Sequence, residues 1–219
     1  MADWDEPANQ ARERYEDGER RLPDESDARQ RQLTRMGNAA GAARLCALMA
    51  GEDAREWFLR AAERYRESWA DAPAGSWGRP IGALRARILA GDWDGAAADA
   101  RWALEAGAGE AESPIGRYAA ALAALVLDDW RAARDHADFA RTHEGFPSDV
   151  GDALATIAAE DVLGYIEAVE SVLESFEQRH DYLEDIPVAD TVLVLQALAA
   201  RRGLAAELSS PLLPANAGS

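Results

Sequence analysis

Apolar positions recur three and four residues apart over most of the chain, with polar and charged residues between them, and this period predicts one helix after another. Leu33, Met36, Ala40, Ala43 and Ala47 trace one such stripe, in a segment that Ser26 or Asp27 can cap and that Gly51 ends. Asp53 opens the next helix. Its apolar face is Phe58, Ala61, Ala62, Tyr65 and Trp69, and Glu56 and Arg60 pair four apart on the other side. No run alternates with a period of two, so no strand is predicted. Thr191-Val192-Leu193-Val194-Leu195 has the most strand-like composition, but it continues through Gln196 to Ala200 and then Arg201-Arg202-Gly203. That predicts a buried central helix, apolar on nearly all sides, cationic at its C-terminal end and stopped by glycine.

The pattern also returns at longer range. Pro80-Ile81-Gly82, Pro114-Ile115-Gly116 and Asp149-Val150-Gly151 lie 34 and 35 residues apart, each opening an alanine- and leucine-rich helix. Asp92, Asp129 and Asp161 follow, each placed to cap a return helix by accepting from its unpaired N–H groups. Counted from the glycine they fall 10, 13 and 10 residues on, which predicts about one extra helical turn in the middle unit. Ser113 can cap a helix that has Pro114 at its first position, and Phe146-Pro147-Ser148 restarts the chain afresh. The expected fold class is all-α: stacked antiparallel helix hairpins, a TPR-like α-α superhelix with no sheet. The tryptophans and glycines of the tetratricopeptide consensus do not fall in register, so generic helix pairs describe the units better.

Three segments are expected. Residues 1–22 are charge-dense, with only Trp4, Tyr15 and Leu22 as large apolar anchors, and predict a loosely docked helix. Residues 23–208 form a single all-helical repeat domain. Residues 209–219 form an extended tail whose Leu212 and Leu213 pack back on the bundle, with the last five residues disordered.

Charge narrows the function. The chain of 219 residues has 23 basic side chains, all arginine, against 40 carboxylates, a net charge of −17. Such a surface repels nucleic acid and anionic lipid, which argues against both as partners. It suits a cytosol of molar salt, where the Debye length is about 3 Å and dense carboxylates no longer oppose folding. The first residues carry no basic and apolar leader pattern, and no stretch approaches the ~18 apolar residues of a spanning helix, so a cytoplasmic protein without membrane contact is expected. Cys46 lies in an apolar run without an activating basic neighbour beyond Arg44, and is read as a buried, inert thiol.

Candidate chemistry is sparse. His136, His143 and His180 are the only histidines, and the positions three and four from His136 are Ala132, Ala133, Phe139 and Ala140, so no metal site is built. Close carboxylate pairs such as Asp128-Asp129 and Glu160-Asp161 sit at helix starts, where capping explains them. No serine-nucleophile motif, phosphate loop or dinucleotide fingerprint occurs; Gly37, Asn38 and Gly41 lie inside a helical pattern and are read as close helix packing. No catalytic residue, cofactor or metal is expected, and the protein is read as not an enzyme. Trp57, Trp69, Trp93, Trp102 and Trp130 fall on amphipathic faces as core. Trp77, in a connection beside Arg79, is either an exposed anchor for a partner or a cover over the next hairpin's end.

The last third resembles a known family. The segments 161–174, His180-Asp181-Tyr182-Leu183, Leu198-Ala199-Ala200-Arg201-Arg202-Gly203-Leu204 and Leu212-Leu213-Pro214, with the upstream 76–84 and Gly91-Asp92-Trp93, resemble the immunity protein 49 family in order and character. The tail lacks the aromatic expected before its final proline. The resemblance spans residues 55 to 214 and carries no catalytic signature. It implies an all-helical protein that neutralises a cognate toxin domain by occlusion, and with it Trp77, Arg79 and Tyr182 become the candidate partner-binding residues. The alternatives are a general helical scaffold without a toxin partner, or an enzyme whose active residues lie on the helix faces.

Overall fold

The computed structural model describes residues 3–215. Among them ten α-helices follow one another: α1 Asp5–Arg20, α2 Ser26–Ala50, α3 Arg55–Glu67, α4 Gly78–Leu89, α5 Trp93–Glu105, α6 Pro114–Val126, α7 Trp130–Arg141, α8 Ser148–Ala159, α9 Val162–Glu177 and α10 Asp190–Ala200. No described residue is in a strand. Each helix from α1 to α9 packs on the next, and α10 folds back onto α4, α8 and α9. The chain is therefore all-α, built of helix hairpins. Residues 216–219, most of the segment expected to be disordered, lie outside the described residues.

The three hairpins α4–α5, α6–α7 and α8–α9 share their punctuation. Asp92, Asp129 and Asp161 cap the return helices, accepting from the N–H groups of Gly95, Ala132 and Gly164 at 3.2, 3.0 and 3.0 Å. The residue before each cap is left-handed, with φ of 64° at Gly91, 61° at Asp128 and 59° at Glu160. The extra turn expected in the middle unit is absent, since α4, α6 and α8 contain 12, 13 and 12 residues. The unequal spacing arises because Gly82 stands in the fifth position of α4 and Gly116 in the third of α6. At the start of α2 the cap is Glu25, whose carboxylate accepts from Asp27 and Ala28 N–H, in place of the expected Ser26 or Asp27. Ser113 caps α6 as expected, with Pro114 at its first position.

The N-terminal helix differs most from expectation. Far from being loosely docked, α1 packs along α2 through Ala8, Ala11, Tyr15 and Gly18, all buried. Three of these are small, which lets the two helices approach closely. A Cβ on Gly18 would stand 2.7 Å from Met36 Cγ. Tyr15 is held edge-on to Trp57, centroids 5.4 Å apart. A search for large apolar anchors passes over a stripe of this kind.

Two elements organise the core. α6 is buried on nearly every side, from Tyr118 to Val126, and its alanines admit α4, α5, α7 and α8 around it. α10, the run with strand-like composition, is helical and buried as expected. Its terminal arginines reach the turns of neighbouring hairpins. Arg201 Nη1 donates to Val126 O at 3.0 Å and its guanidinium stacks 4.6 Å from the Trp93 ring. Arg202 Nη1 donates to Ile157 O and Ala158 O at 2.9 and 2.6 Å and lies 4.1 Å from the Trp130 ring. At the remaining turn, Arg55 Nη1 donates to Ala90 O at 2.5 Å. Carbonyls at the ends of α4, α6 and α8 thus receive a cationic donor. The tail returns to the bundle, where Leu213 is buried and Ala189 N–H donates to Leu212 O at 2.9 Å.

Candidate functional site

The residues singled out from the sequence lie in two places. Trp77, at the start of α4, is half-buried and packs on Trp69 with centroids 5.6 Å apart, while Trp69 meets Trp102 edge-on at 5.7 Å. Its indole also covers the start of α6, where a Cβ on Gly116 would stand 2.8 Å from Nε1. Arg79 braces three helices: its Nε donates to Ser68 Oγ at 3.1 Å and its Nη2 to Gln30 Oε1. Burial holds its pKa below the usual value. The partners of both side chains are thus intramolecular. Tyr182 stands elsewhere, in the connection between α9 and α10, where its hydroxyl donates to Phe176 O at 2.9 Å. Among the described residues no hydrogen bond joins it to Trp77 or Arg79, and neither lines the cavity against which it lies.

Two concavities among the described residues bear on the site. The larger is an open groove of about 660 Å³ where the last turn of α2, the end of α4, the middle of α10 and the tail converge. Its walls are Leu48, Met49, Leu89, Leu193 and Ala197, with Pro214 at the edge. α2 reaches this far because its alanine-rich stripe runs for 25 residues before Gly51, at φ 75°, turns the chain. Among the described residues, Glu52 is the only ionisable side chain on the wall. Gln196 on the wall donates to Ala206 O at 3.4 Å, and its Oε1 is buried with no donor. The size falls within the ~300–1,000 Å³ of ordinary ligand and peptide pockets.

The smaller is a polar cavity of about 220 Å³ against which Tyr182 lies. Arg85 of α4 pairs there with Asp190 of α10 at 2.6 Å and donates from Nη2 to Thr191 Oγ1 at 3.3 Å. Burial works against the Arg85 charge, but Asp190 more than offsets it and the pKa is raised. Behind the pair lies Arg44, 3% exposed, whose Nε donates to Gly41 O at 3.3 Å and whose guanidinium stacks 4.7 Å from the Phe58 ring. Burial pushes its pKa down to about 10, so it stays charged near neutrality. Tyr65 and Tyr118 border the same cluster, and burial raises both phenols. Sequence reasoning missed this cluster because its members are 146 residues apart. The available signal was a charge inside an apolar stretch: Arg44 within Ala42-Ala43-Arg44-Leu45-Cys46, and Asp190 at the head of a largely apolar helix.

Cys46, His136 and His143 are buried or engaged by neighbours. Cys46 is buried, which pushes its thiol up to about 11. Arg117 Nη1 donates to His136 Nδ1 at 3.2 Å, and burial followed by the Arg117 charge lowers the His136 pKa. His143 stacks on Phe139 at 4.2 Å. Among the described residues no group of three or more His, Cys, Asp or Glu side chains is placed to hold a metal ion, and no helix is long and apolar enough to cross a membrane. No protein-family model, curated protein or solved structure matches the chain.

Proposed function

We propose that this is a non-catalytic binding protein that holds a protein partner in the groove formed by α2, α4 and α10. The observation that carries the reading is the groove itself: about 660 Å³, open, and walled by leucine, methionine and alanine, with a single carboxylate as the only ionisable group among the described residues that line it. Such a surface offers apolar burial and no acid, base or nucleophile pair, which suits an amphipathic helix or hydrophobic loop from another chain. The surrounding surface, at a net charge of −17, disfavours nucleic acid or anionic membrane as the occupant.

The partner class we favour is a toxin domain, neutralised by occlusion in the manner of an immunity protein. Support for it is the resemblance of the C-terminal third, including the buried α10, its arginine-glycine stop and the leucine-proline tail, to the immunity protein 49 family. A specific complex of this kind covers about 1,600 Å² in total, with the groove supplying its apolar centre. Trp77 and Arg79 then support the scaffold instead of anchoring the partner. A scaffold role without a toxin is the second reading, since it uses the same groove.

The test is capture from the native host at native salt with the wild-type chain and with Ala197→Glu. Ala197 is half-buried on the groove wall, and glutamate is a good helix former, so the fold is expected to survive. The variant places an unpaired carboxylate in the apolar contact, and capture should fall at least tenfold, about 1.4 kcal/mol or more. A captured toxin domain supports the immunity reading and a captured host protein the scaffold. Equal capture by both chains contradicts the groove as the docking site.

A further inference from the structure

The three capped hairpins share a register along their return helices, and two positions in it tell them apart. Counted from Asp92, Asp129 and Asp161, the seventh residue is Asp99, His136 and Ala168, and the tenth is Trp102, Phe139 and Ser171. In the first hairpin Asp99 accepts from Arg66 Nη1 and, at 3.3 Å, from Arg87 Nε, and the Arg66 guanidinium lies 4.8 Å from the Trp102 ring. In the second, Arg117 Nη1 meets His136 Nδ1 at 3.2 Å and its guanidinium lies 4.5 Å from the Phe139 ring. Both positions thus engage an arginine. In the second hairpin the chain also covers the arginine: the short turn Ala108–Glu110 packs against α6, and Arg117 Nε donates to Ala111 O at 2.7 Å.

The third hairpin presents the opposite charge. Ala168 and Ser171 leave an open groove of about 300 Å³ between α8 and α9, walled by the carboxylates of Asp149, Asp152 and Glu167. Asp152 is paired with Arg141 at 2.6 Å, whereas among the described residues neither Asp149 nor Glu167 has a cation within ion-pair distance. No arginine of this chain is among the described residues that line the groove. Its two hydroxyl groups spend their protons on the backbone: Thr156 donates to Asp152 O at 2.9 Å and Ser171 to Glu167 O at 3.0 Å. The side chains of the groove therefore offer acceptors and no donor.

We propose that the α8–α9 groove docks an arginine side chain carried on a loop of another protein. The surface is separate from the apolar groove of α2, α4 and α10 and does not rest on the reading of that groove. A guanidinium presents five donors in one plane and can serve carboxylates of both helices from between them, as a compact ammonium cannot. The carboxylates are not placed to converge on a metal ion. The docking surface extends beyond the charges, since Leu163 lies four residues before Glu167 on α9 and is 74% exposed. A protein loop can cover that leucine, as a free guanidinium compound cannot. A second copy of the chain brings the same net charge of −17 and is disfavoured as the occupant.

Nuclear magnetic resonance titration of the full chain in molar potassium chloride tests the proposal, because at that salt only charges in contact contribute. The probes are acetyl-Leu-Arg-Leu-amide, its neutral citrulline counterpart, its lysine counterpart and acetyl-arginine amide, and the reporters are the amide resonances of Thr156 and Ala168. The arginine peptide should shift both reporters saturably, and the citrulline peptide should bind at least about tenfold more weakly, the scale of one hydrogen bond to a charged group. Glu167→Gln, an exposed change in mid-helix, should weaken the arginine peptide about threefold with unligated melting unchanged. Four results overturn the proposal: shifts spread over the acidic surface without saturation at the two reporters, a citrulline or lysine peptide that binds as tightly as the arginine peptide, a Glu167→Gln chain that binds as wild type does, or acetyl-arginine amide that binds as tightly as the peptide, which would make the groove a small-molecule site. Reporter shifts that change with protein concentration in the absence of peptide would place a second copy in the groove and overturn it equally.

Discussion

Tyr65 occupies a slot between α2 and α4 that exists because both helices present glycine to it. A Cβ on Gly37 would stand 2.9 Å from the ring and one on Gly82 2.7 Å, while the hydroxyl donates to Asn38 Oδ1 at 2.8 Å and ties the ring in place. Two effects compete in Gly82→Ala. Helix propensity would gain about 1 kcal/mol. Overpacking a ring that cannot retreat costs about 1–3 kcal/mol, so the net change should be destabilising, read as a lower denaturant midpoint at unchanged m-value. The glycines of α2 were legible as close packing, and Cys46 as a buried thiol. Trp77 was not legible in the same way, because whether an aromatic in a connection faces outward depends on Trp69 and Gly116, which no local pattern places beside it. His136 gives the pH-dependent residue. Its folded pKa lies below the ordinary 6.5, so the unfolded chain takes up the proton first and stability is lost as pH falls below 6.5 towards the folded value. Urea titrations at a series of pH values should show wild type losing more stability over that window than His136→Gln, and parallel slopes for the two would contradict this.

The hairpins owe their alignment to the end of α10. Arg202 meets two carbonyls of α8, the Trp130 ring and Glu160 at once, whereas Arg201 meets one carbonyl, the Trp93 ring and Asp128. The ion pairs contribute little, since Glu160 is 62% and Asp128 53% exposed. Carbonyl bonds from a charged donor and the stack on tryptophan carry more, about 2–3 kcal/mol together for Arg202. Arg202→Ala should therefore lower stability by about that amount and more than Arg201→Ala, and Arg202→Lys should recover only part, because an ammonium cannot span two carbonyls and a ring. Thermal melts of the three variants check the order. The Asp92, Asp129 and Asp161 caps were readable because capping depends on neighbours within a turn. The docking of α1 was not, since its stripe of Ala8, Ala11 and Gly18 gains meaning only against Met36 and Gln32 of the next helix. The extra turn expected in the middle hairpin failed for a related reason: the glycines used as a ruler sit at different depths in their helices.

Over the whole molecule, apolar seams between successive helices account for the fold, and what they leave uncovered bears on function. The all-helical architecture was visible in the period of the apolar positions. The groove was not, because Leu48, Leu89 and Leu193 come from three distant helices and each alone reads as ordinary core. The same holds for the Arg44–Arg85–Asp190 cluster. Surface charge was legible as a total of −17, and it makes an apolar opening the part of the surface where another protein meets least repulsion. Hydrogen exchange of the chain, free and bound to its captured partner, tests the central claim most directly. The account predicts slowed exchange at the end of α2 around residues 48–52, at Leu89 and along 193–197 of α10, with no change at the start of α4. Protection centred on Trp77 and Arg79, with the groove exchanging as it does in the free chain, would contradict it.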